Sequence, residues 1–176
     1  MMLIRARQPE DLDGCVAVLR RVYATTGYPS GWPRDPARWL SPADQVAAWV
    51  AEDDGLLAGH IALVQGVRTE CLLRATGRDA SELGGIARLF VDPAAMRRGL
   101  ARALLAAAVG HARARGLQPV LDVVDDDEAA IALYEASGWK LAGITTATWV
   151  TPAGIAPTLR CYVASPAPDI SLADPS

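Results

Sequence analysis

The spacing of apolar residues predicts strands and helices along most of the chain. A short apolar stretch at Leu3–Ala6 predicts a strand. Pro9, Glu10 and Asp11 then open a predicted helix, in which apolar side chains recur at helical spacing as far as Tyr23. We therefore expect a strand followed by an amphipathic helix at the amino-terminal end.

An irregular segment, a short helix and a hairpin are predicted next. Tyr28–Leu40 contains three prolines and two tryptophans, a composition that opposes regular structure but supplies large rings for a pocket. Ser41–Asp44 has the cap and the proline of a helix start and predicts a short helix toward Ala48. Asp53–Gly55 is a turn signal between two apolar runs. The predicted hairpin strands are Trp49–Glu52 and Leu56–Val64.

The second half of the chain also contains predicted strands and helices, and together with the first half they define the fold class. The predicted helices are Glu70–Ala75, Gly99–Arg115 and a last one that begins at Asp125 and runs to Ser137. The predicted strands are Gly85–Val91, Pro119–Val124, one near Trp139–Trp149, and Thr158–Val163. The chain is therefore predicted to be an α/β (α+β) protein, with a mixed, mostly antiparallel sheet of about seven strands flanked by about four helices.

The composition is that of one globular domain. Of the 176 residues, 51% are hydrophobic and 21% are charged, which is sufficient for a single core. We expect residues 1–164 to form this domain and the polar, proline-containing residues 165–176 to form a mobile tail. No apolar run reaches the roughly 20 residues that span a bilayer, and the first residues lack the pattern of a signal peptide. A cytoplasmic protein without a membrane partner is predicted.

Charge and cysteine content narrow the classes of function. A net charge of −3 provides no basic surface for nucleic acid. Three cysteines without paired spacing indicate neither disulfides nor a metal site. Within this acidic chain, five arginines cluster between residues 97 and 115, which favours a small anionic ligand.

The strongest chemical signal is the junction between the strand that ends at Val91 and the helix that begins at Gly99. The first amides of a helix have no partner within it, so they can bind a pyrophosphate. Gly99 and the small Ala101 allow a ligand to approach the backbone, and Arg97 and Arg98 add positive charge. Neither GxGxxG nor GxxxxGKS/T follows a strand, which disfavours a Rossmann-type nucleotide-binding protein.

Two motifs resemble those of the GNAT superfamily of N-acetyltransferases. Val91–Leu105 is similar to motif A, with the core Arg/Gln-x-x-Gly-x-Gly/Ala, and Ala130–Trp139 is similar to motif B, Asn-x-x-Ala-x-x-Leu-Tyr-x-x-x-Gly-Phe. Met96 stands where motif A prefers Arg or Gln, and Asp127 stands where motif B prefers Asn. The order of elements from Leu3 to Val163 is also GNAT-like.

The resemblance implies an enzyme that transfers an acetyl group from acetyl-CoA to a primary amine of a small molecule or peptide. In that family two splayed strands hold the pantetheine arm, and main-chain amides before the motif A helix hold the pyrophosphate. Tyr134 is the implied general acid for the leaving thiolate. The implied cofactor-binding residues are Leu89, Phe90, Val91, Arg97, Arg98, Gly99, Leu100, Ala101, Arg102 and Asp127. No metal is implied, and a homodimer is left open.

Attack on the thioester requires a free amine. An alkylamine with a pKa of about 10.4 is almost entirely protonated at pH 7, so a base or a desolvated site has to assist. Members of the family often have a carboxylate near the start of the fourth strand, where this chain has Gly85. The nearby Glu82 is the predicted base, and His60 is a second candidate. Cys71 has no visible base partner, so direct attack in a ternary complex is expected rather than an acylated cysteine.

The acceptor side is less specified by the sequence. Tyr28, Trp32, Trp39 and Trp49 predict a partly aromatic acceptor pocket. The alternative function is a non-catalytic CoA-binding regulatory or sensory module of the same fold. It stays open because Gly85 occupies a position where a base is common.

Overall fold

The centre of the molecule, a computed structural model that describes residues 1–166, is a seven-stranded sheet. In chain order the strands are β1 (Met2–Ala6), β2 (Gln45–Asp53), β3 (Leu56–Gln65), β4 (Leu83–Val91), β5 (Gln118–Val124), β6 (Lys140–Thr146) and β7 (Thr158–Val163). They lie in the order β1-β2-β3-β4-β5-β7-β6, and only β4 and β5 are parallel neighbours. The predicted mixed, mostly antiparallel sheet is confirmed. From residue 167 onward, the predicted tail lies outside the described residues.

Helices cover both faces of the sheet. They are α1 (Leu12–Thr26), α2 (Pro36–Trp39), α3 (Glu70–Thr76), α4 (Leu100–Ala114) and α5 (Glu128–Ala136). Val50 of β2 packs in one core cluster with Leu19 of α1, whereas its neighbour Ala51 packs in another with Leu104 of α4. Because successive side chains of a strand point to opposite faces, α1 and α4 lie on opposite sides of the sheet. None of the helices within residues 1–166 is long and apolar enough to cross a membrane.

The helix predicted from Ser41 toward Ala48 is wrong, because this stretch leads into strand β2. The hydroxyl of Ser41 accepts a hydrogen bond from Nη2 of Arg7 (2.8 Å), so it does not cap a helix. A four-residue helix, α2, forms just before it, where the carboxylate of Asp35 caps the amide of Arg38 (3.0 Å). The described part of the structure therefore has five α-helices, whereas about four were predicted. The additional helix lies within Tyr28–Leu40, which was expected to be irregular.

Strands β4 and β5 are paired over only three residues each. Leu83–Gly85 pairs with Gln118–Val120, and beyond this point the two strands separate. A bulge lies in the separated part of β4, where Arg88 has a φ of 56°. The carboxyl-terminal ends of two neighbouring parallel strands therefore border a gap in the sheet.

His60 on β3 holds the bulge from inside the protein. The side chain is fully buried, with Nδ1 2.9 Å from the carbonyl oxygen of Arg88 and Nε2 2.8 Å from Nη1 of Arg7. A carbonyl can only accept, so Nδ1 carries the proton and Nε2 accepts from Arg7. Burial, above all, lowers the pKa of His60 to about 4, so the ring is neutral at pH 7. Both ring nitrogens are engaged, which leaves no lone pair for the general-base role considered for this residue.

Acidification is expected to destabilise the protein through His60. A histidine with a folded pKa of about 4 and an unfolded value of 6.5 binds fewer protons when folded, so the free energy of unfolding falls as the pH drops between these values. The shift corresponds to about 3 kcal/mol, at about 1.4 kcal/mol per unit. Urea unfolding at about pH 7.5 and about pH 4.5 measures the loss, which is smaller in His60→Gln. Equal losses in the two proteins would contradict a buried neutral ring.

Candidate active site

Two adjoining cavities follow the separation of β4 from β5. The tryptophan cavity, about 690 Å³ in volume, is lined in part by Trp32, Trp39 and Trp149. The loop cavity, about 660 Å³, is lined in part by Val91 and Met96, which flank the segment leading to α4. The residues that line both are Tyr28, Ser30, Leu89, Val124, Asp127 and Thr151. The two cavities therefore form one groove, bordered by β4 on one side and by β5 on the other.

The start of α4 has backbone amides without helical partners. Gly99 precedes the helix with a φ of 80°, and no described side chain caps this end. The first amide bonded to the helix backbone is that of Ala103, which donates to the carbonyl of Gly99 (3.0 Å). The amides of Leu100–Arg102 are thus unpaired within the helix. A Cβ on Gly99 would meet nothing within 4 Å, so the backbone is open to a ligand on this side.

The predicted cofactor residues on β4 border the groove. Leu89 lines both cavities, and Phe90 and Val91 line the loop cavity. Met96 lines the loop cavity as well, although motif A prefers Arg or Gln at this position. A thioether donates no hydrogen bond, so Met96 can offer a ligand only apolar contact and a weak acceptor.

The predicted arginines surround the start of α4 but line neither cavity. Arg97, Arg98 and Arg102 are exposed, and Arg98 forms an ion pair with Asp53 at the end of β2. Leu100 is buried in the core, so only its backbone amide can reach a ligand. Positive charge is therefore present at the helix start, outside the groove itself.

Helix α5 places Tyr134 at the tryptophan cavity. Oδ1 of Asp127 caps this helix by accepting from the amide three residues later (3.1 Å). About two turns on, the ring of Tyr134 packs against Trp139 and Tyr162, with centroid distances of 5.9 and 6.2 Å. Burial is the main cause that raises the pKa of Tyr134, so its hydroxyl stays protonated. The phenol is a proton donor at the wall of the cavity.

Glu82 lies outside the groove, contrary to its selection as the base. It ends a 3₁₀ turn, Ala80–Glu82, and its Oε2 accepts a hydrogen bond from the amide of Asp79 (2.9 Å). This turn precedes the end of β4 that is still paired with β5. Gly85 leaves no room for a base either, since a Cβ there would lie 2.8 Å from a methyl group of Val64.

Two charged residues that the sequence analysis did not select line the tryptophan cavity, Arg88 on β4 and Asp122 on β5. The guanidinium of Arg88 lies over the ring of Trp39, 3.9 Å from its centroid, and its Nε donates to the carbonyl of Trp39 (3.1 Å). Asp122 stays open to the cavity, yet enough protein surrounds it for burial to raise its pKa. Each is the only charged residue in an apolar run, Ile86–Val91 for Arg88 and Val120–Val124 for Asp122. A charge within a predicted strand was the sequence signal that could have identified them.

The aromatic pocket differs in part from the prediction. Tyr28, Trp32 and Trp39 line the tryptophan cavity, and Trp149 lines it too. Trp49, however, packs against His111 of α4, with a centroid distance of 5.2 Å, and is absent from both cavities. No three His, Cys, Asp or Glu side chains within residues 1–166 gather as metal ligands would.

A gap between two parallel strands, open helix amides beside it and a phenol within it are features of an acyl-CoA-dependent transferase. Residues 16–139 match the model of the acetyltransferase (GNAT) family, which is more than half of the chain. The chain therefore belongs to the GNAT acetyltransferase family.

The curated relatives are longer proteins. The mycothiol acetyltransferase of Rhodococcus erythropolis is 33% identical over 141 residues, which cover 76% of this chain and 44% of the relative. That of Geodermatophilus obscurus is 36% identical over 107 residues, covering 60% of this chain and 32% of the relative. The chain thus spans less than half the length of these relatives.

Solved structures share the fold at low sequence identity. An N-acetyltransferase from Staphylococcus aureus Mu50 has a TM-score of 0.72 at 20% identity, covering 94% of this chain and 98% of that one. The ribosomal-protein-S18-alanine N-acetyltransferase of Escherichia coli has a TM-score of 0.67 at 20% identity, covering 97% of this chain and 99% of that one. Arabidopsis thaliana NAA60 in complex with acetyl-CoA has a TM-score of 0.70 at 17% identity, covering 93% of this chain and 97% of that one.

Replacing the cap of α5 should destabilise the protein. Asp127→Ala is expected to lower the free energy of unfolding by about 1 kcal/mol, because the side-chain acceptor at the helix start is lost. Asp127→Asn is the matched control, since an amide oxygen caps about as well and the stability should stay near that of the wild type. Urea unfolding of the three proteins measures this. Equal stability of Asp127→Ala and wild type would show that the cap contributes nothing.

Proposed function

We propose that this chain transfers an acetyl group from acetyl-CoA to a primary amine of a small molecule or peptide, by direct attack of the amine in a ternary complex. One observation carries the proposal: the groove between β4 and β5 has Tyr134 at its tryptophan cavity and, at its loop cavity, Met96, three residues before the open helix start at Gly99. Relatives named mycothiol acetyltransferase support acetyl transfer as the class of reaction. The three cysteines are unpaired, as is usual in a reducing compartment, and we place the reaction in the cytoplasm.

The groove suits the parts of CoA in order along its length. The unpaired amides of Leu100–Arg102 and the exposed Arg97 and Arg98 offer donors and positive charge for the pyrophosphate. Leu89 and Val124, which face both cavities, offer apolar walls for the pantetheine arm. This arm would lead the thioester into the tryptophan cavity, where Tyr134 lies.

Tyr134 is the proposed general acid. As the amine nitrogen forms its bond to the thioester carbon, the carbon–sulfur bond breaks and the departing thiolate takes the phenolic proton. The proton that the nitrogen loses on becoming an amide then restores the phenol. Burial raises the pKa of Tyr134, which keeps the phenolic proton in place before the reaction. Holding both reactants in one groove favours direct attack, because it replaces a collision in solution by a positioned encounter.

Asp122 is the base that we propose in place of Glu82. An ammonium group must lose a proton before it attacks, and Asp122 presents a carboxylate to the tryptophan cavity from β5. Burial raises its pKa, which brings it nearer to the working pH of the reaction. Since the carboxylate must be ionised to accept a proton, activity should fall as the pH drops through this raised pKa.

A non-catalytic CoA-binding module would use the same groove without chemistry. The presence of Tyr134 and Asp122 at the wall of the cavity that would receive the thioester favours the enzyme. Release of free CoA thiol distinguishes the two functions. The enzyme releases it from acetyl-CoA when an amine is acetylated, whereas a binding module takes up CoA but releases no thiol with any amine.

Blocking the start of α4 should abolish CoA binding. In Gly99→Trp the new side chain covers the open amides, and calorimetry is expected to detect no CoA binding. Gly116→Trp, at the other end of α4, is the matched control: φ is 72° there and 80° at Gly99, and a Cβ at either position meets nothing within 4 Å. Both variants have a similar left-handed strain of about 1–2 kcal/mol. Wild-type affinity in Gly99→Trp would remove the helix start from the site.

Removing one hydroxyl should separate catalysis from binding. Tyr134→Phe keeps the packing of the ring and loses the proton donor, so the rate of the chemical step should fall by roughly 10²-fold while CoA affinity barely changes. Tyr162→Phe is the control, because this neighbouring hydroxyl donates to Glu135 (3.0 Å) and Tyr162 lines neither cavity. Single-turnover thiol release with acetyl-CoA and an amine panel measures the step. Full turnover by Tyr134→Phe would make Tyr134 a packing residue.

A further inference from the structure

We infer that the acceptor is a zwitterionic amino acid, whose carboxylate binds Arg88 and whose amine lies at Asp122. This inference rests on the proposed acetyl transfer and specifies the class of acceptor. It depends on two opposite charges that line the tryptophan cavity from the two separated strands.

Arg88 is held in place by its surroundings but forms no salt bridge within the described residues. Its backbone lies in the left-handed region, its carbonyl accepts from His60, and its Nε donates to the carbonyl of Trp39. No ion pair joins it to a carboxylate anywhere in the described chain, and neither terminal NH₂ group has a hydrogen bond there. Two NH₂ groups without acceptors are costly in a half-buried guanidinium, and a planar carboxylate can accept from both at once.

Asp122 supplies the opposite charge across the gap. It lines the same cavity from β5, and it too forms no ion pair within residues 1–166. A ligand with both a carboxylate and an amine satisfies Arg88 and Asp122 together. A simple cationic amine would satisfy Asp122 alone and bring a second positive charge near Arg88, which is unfavourable.

The rest of the cavity has room for a side chain. Its volume is about 690 Å³, and Trp32, Trp39 and Trp149 contribute large apolar walls. Ligand cavities with aromatic walls and a few charged anchors suit ligands that have an apolar part and a polar end. An amino acid with a large apolar side chain has both.

The test compares acceptors that differ at the carboxylate, with kcat/KM calculated for the free-amine form, because the same change also alters the pKa of the amine. Phenylalanine, phenylalanine amide and phenethylamine form one set, and leucine, leucinamide and isopentylamine form a second. We expect kcat/KM, measured by thiol release from acetyl-CoA, to be at least about 10-fold higher for the amino acid than for the other two members of a set. Equal or faster turnover of the amide or the plain amine would overturn the inference and leave acetyl transfer standing. This comparison uses the wild-type protein alone, so it does not depend on the folding of a variant.

Variants of Arg88 test whether this residue causes the preference for the amino acid over its amide. Arg88→Met should lower kcat/KM for the amino acid by about 10- to 100-fold, mainly through KM, and should change the value for the amide little. Arg88→Lys should restore part of the preference, because it returns the charge without the planar fork. Arg20→Met is the control: Arg20 also stacks on a tryptophan, 4.8 Å from the ring centroid of Trp32, but does not line the cavity. An unchanged preference in Arg88→Met would overturn the assignment.

A binding experiment separates failure of this inference from failure of the proposed reaction. If no acceptor releases thiol, calorimetry on the CoA-bound protein compares N-acetylphenylalanine with its amide. Tighter binding of the carboxylate that is lost in Arg88→Met would support the subsite, although acetyl transfer would have failed. Equal binding of the two compounds would overturn the subsite as well.

Discussion

The groove exists because β4 and β5 are paired over only three residues each. Beyond Gly85 the backbone groups that face the gap have no partner in the neighbouring strand, and such groups are costly unless something else satisfies them. In the bulge, the carbonyl of Arg88 is bonded by His60 from β3, on the other side of β4. A ligand with its own amide groups can satisfy the groups that face the gap, and the pantetheine arm of CoA has two amides. The separation thus creates the space that we propose for the cofactor and a reason for it to bind there.

Burial shifts the pKa of several groups around this gap. It lowers the pKa of His60 and so keeps a neutral ring behind the bulge. It raises the pKa of Tyr134, which preserves a proton donor, and that of Asp122, which strengthens a base. Arg88 is the positive charge of the cavity and forms no salt bridge in the described chain. The same environment therefore acts on the proposed acid, the proposed base and the proposed anion-binding group.

Local patterns in the sequence predict most elements, because strands, helices and turns depend mainly on nearby residues. The turn at Asp53–Gly55 is an example, with positive φ at its last two residues. The prediction failed at Ser41, because its hydroxyl is bonded to Arg7, a partner distant in the sequence. Arg88 and Asp122 were missed for a similar reason: they line one cavity because β4 separates from β5, which no local pattern specifies. Glu82 was selected from its position along the chain, and its carboxylate serves a turn instead.

The position of the cofactor tests the role of the separated strands most directly. A crystal structure of the chain with acetyl-CoA should show the pyrophosphate within hydrogen-bond distance of the amides of Leu100–Arg102. The pantetheine arm should pass between Leu89 and Val124, and the sulfur should lie in the tryptophan cavity near the hydroxyl of Tyr134. Acetyl-CoA bound elsewhere, with the gap between β4 and β5 filled only by solvent, would contradict this function of the groove.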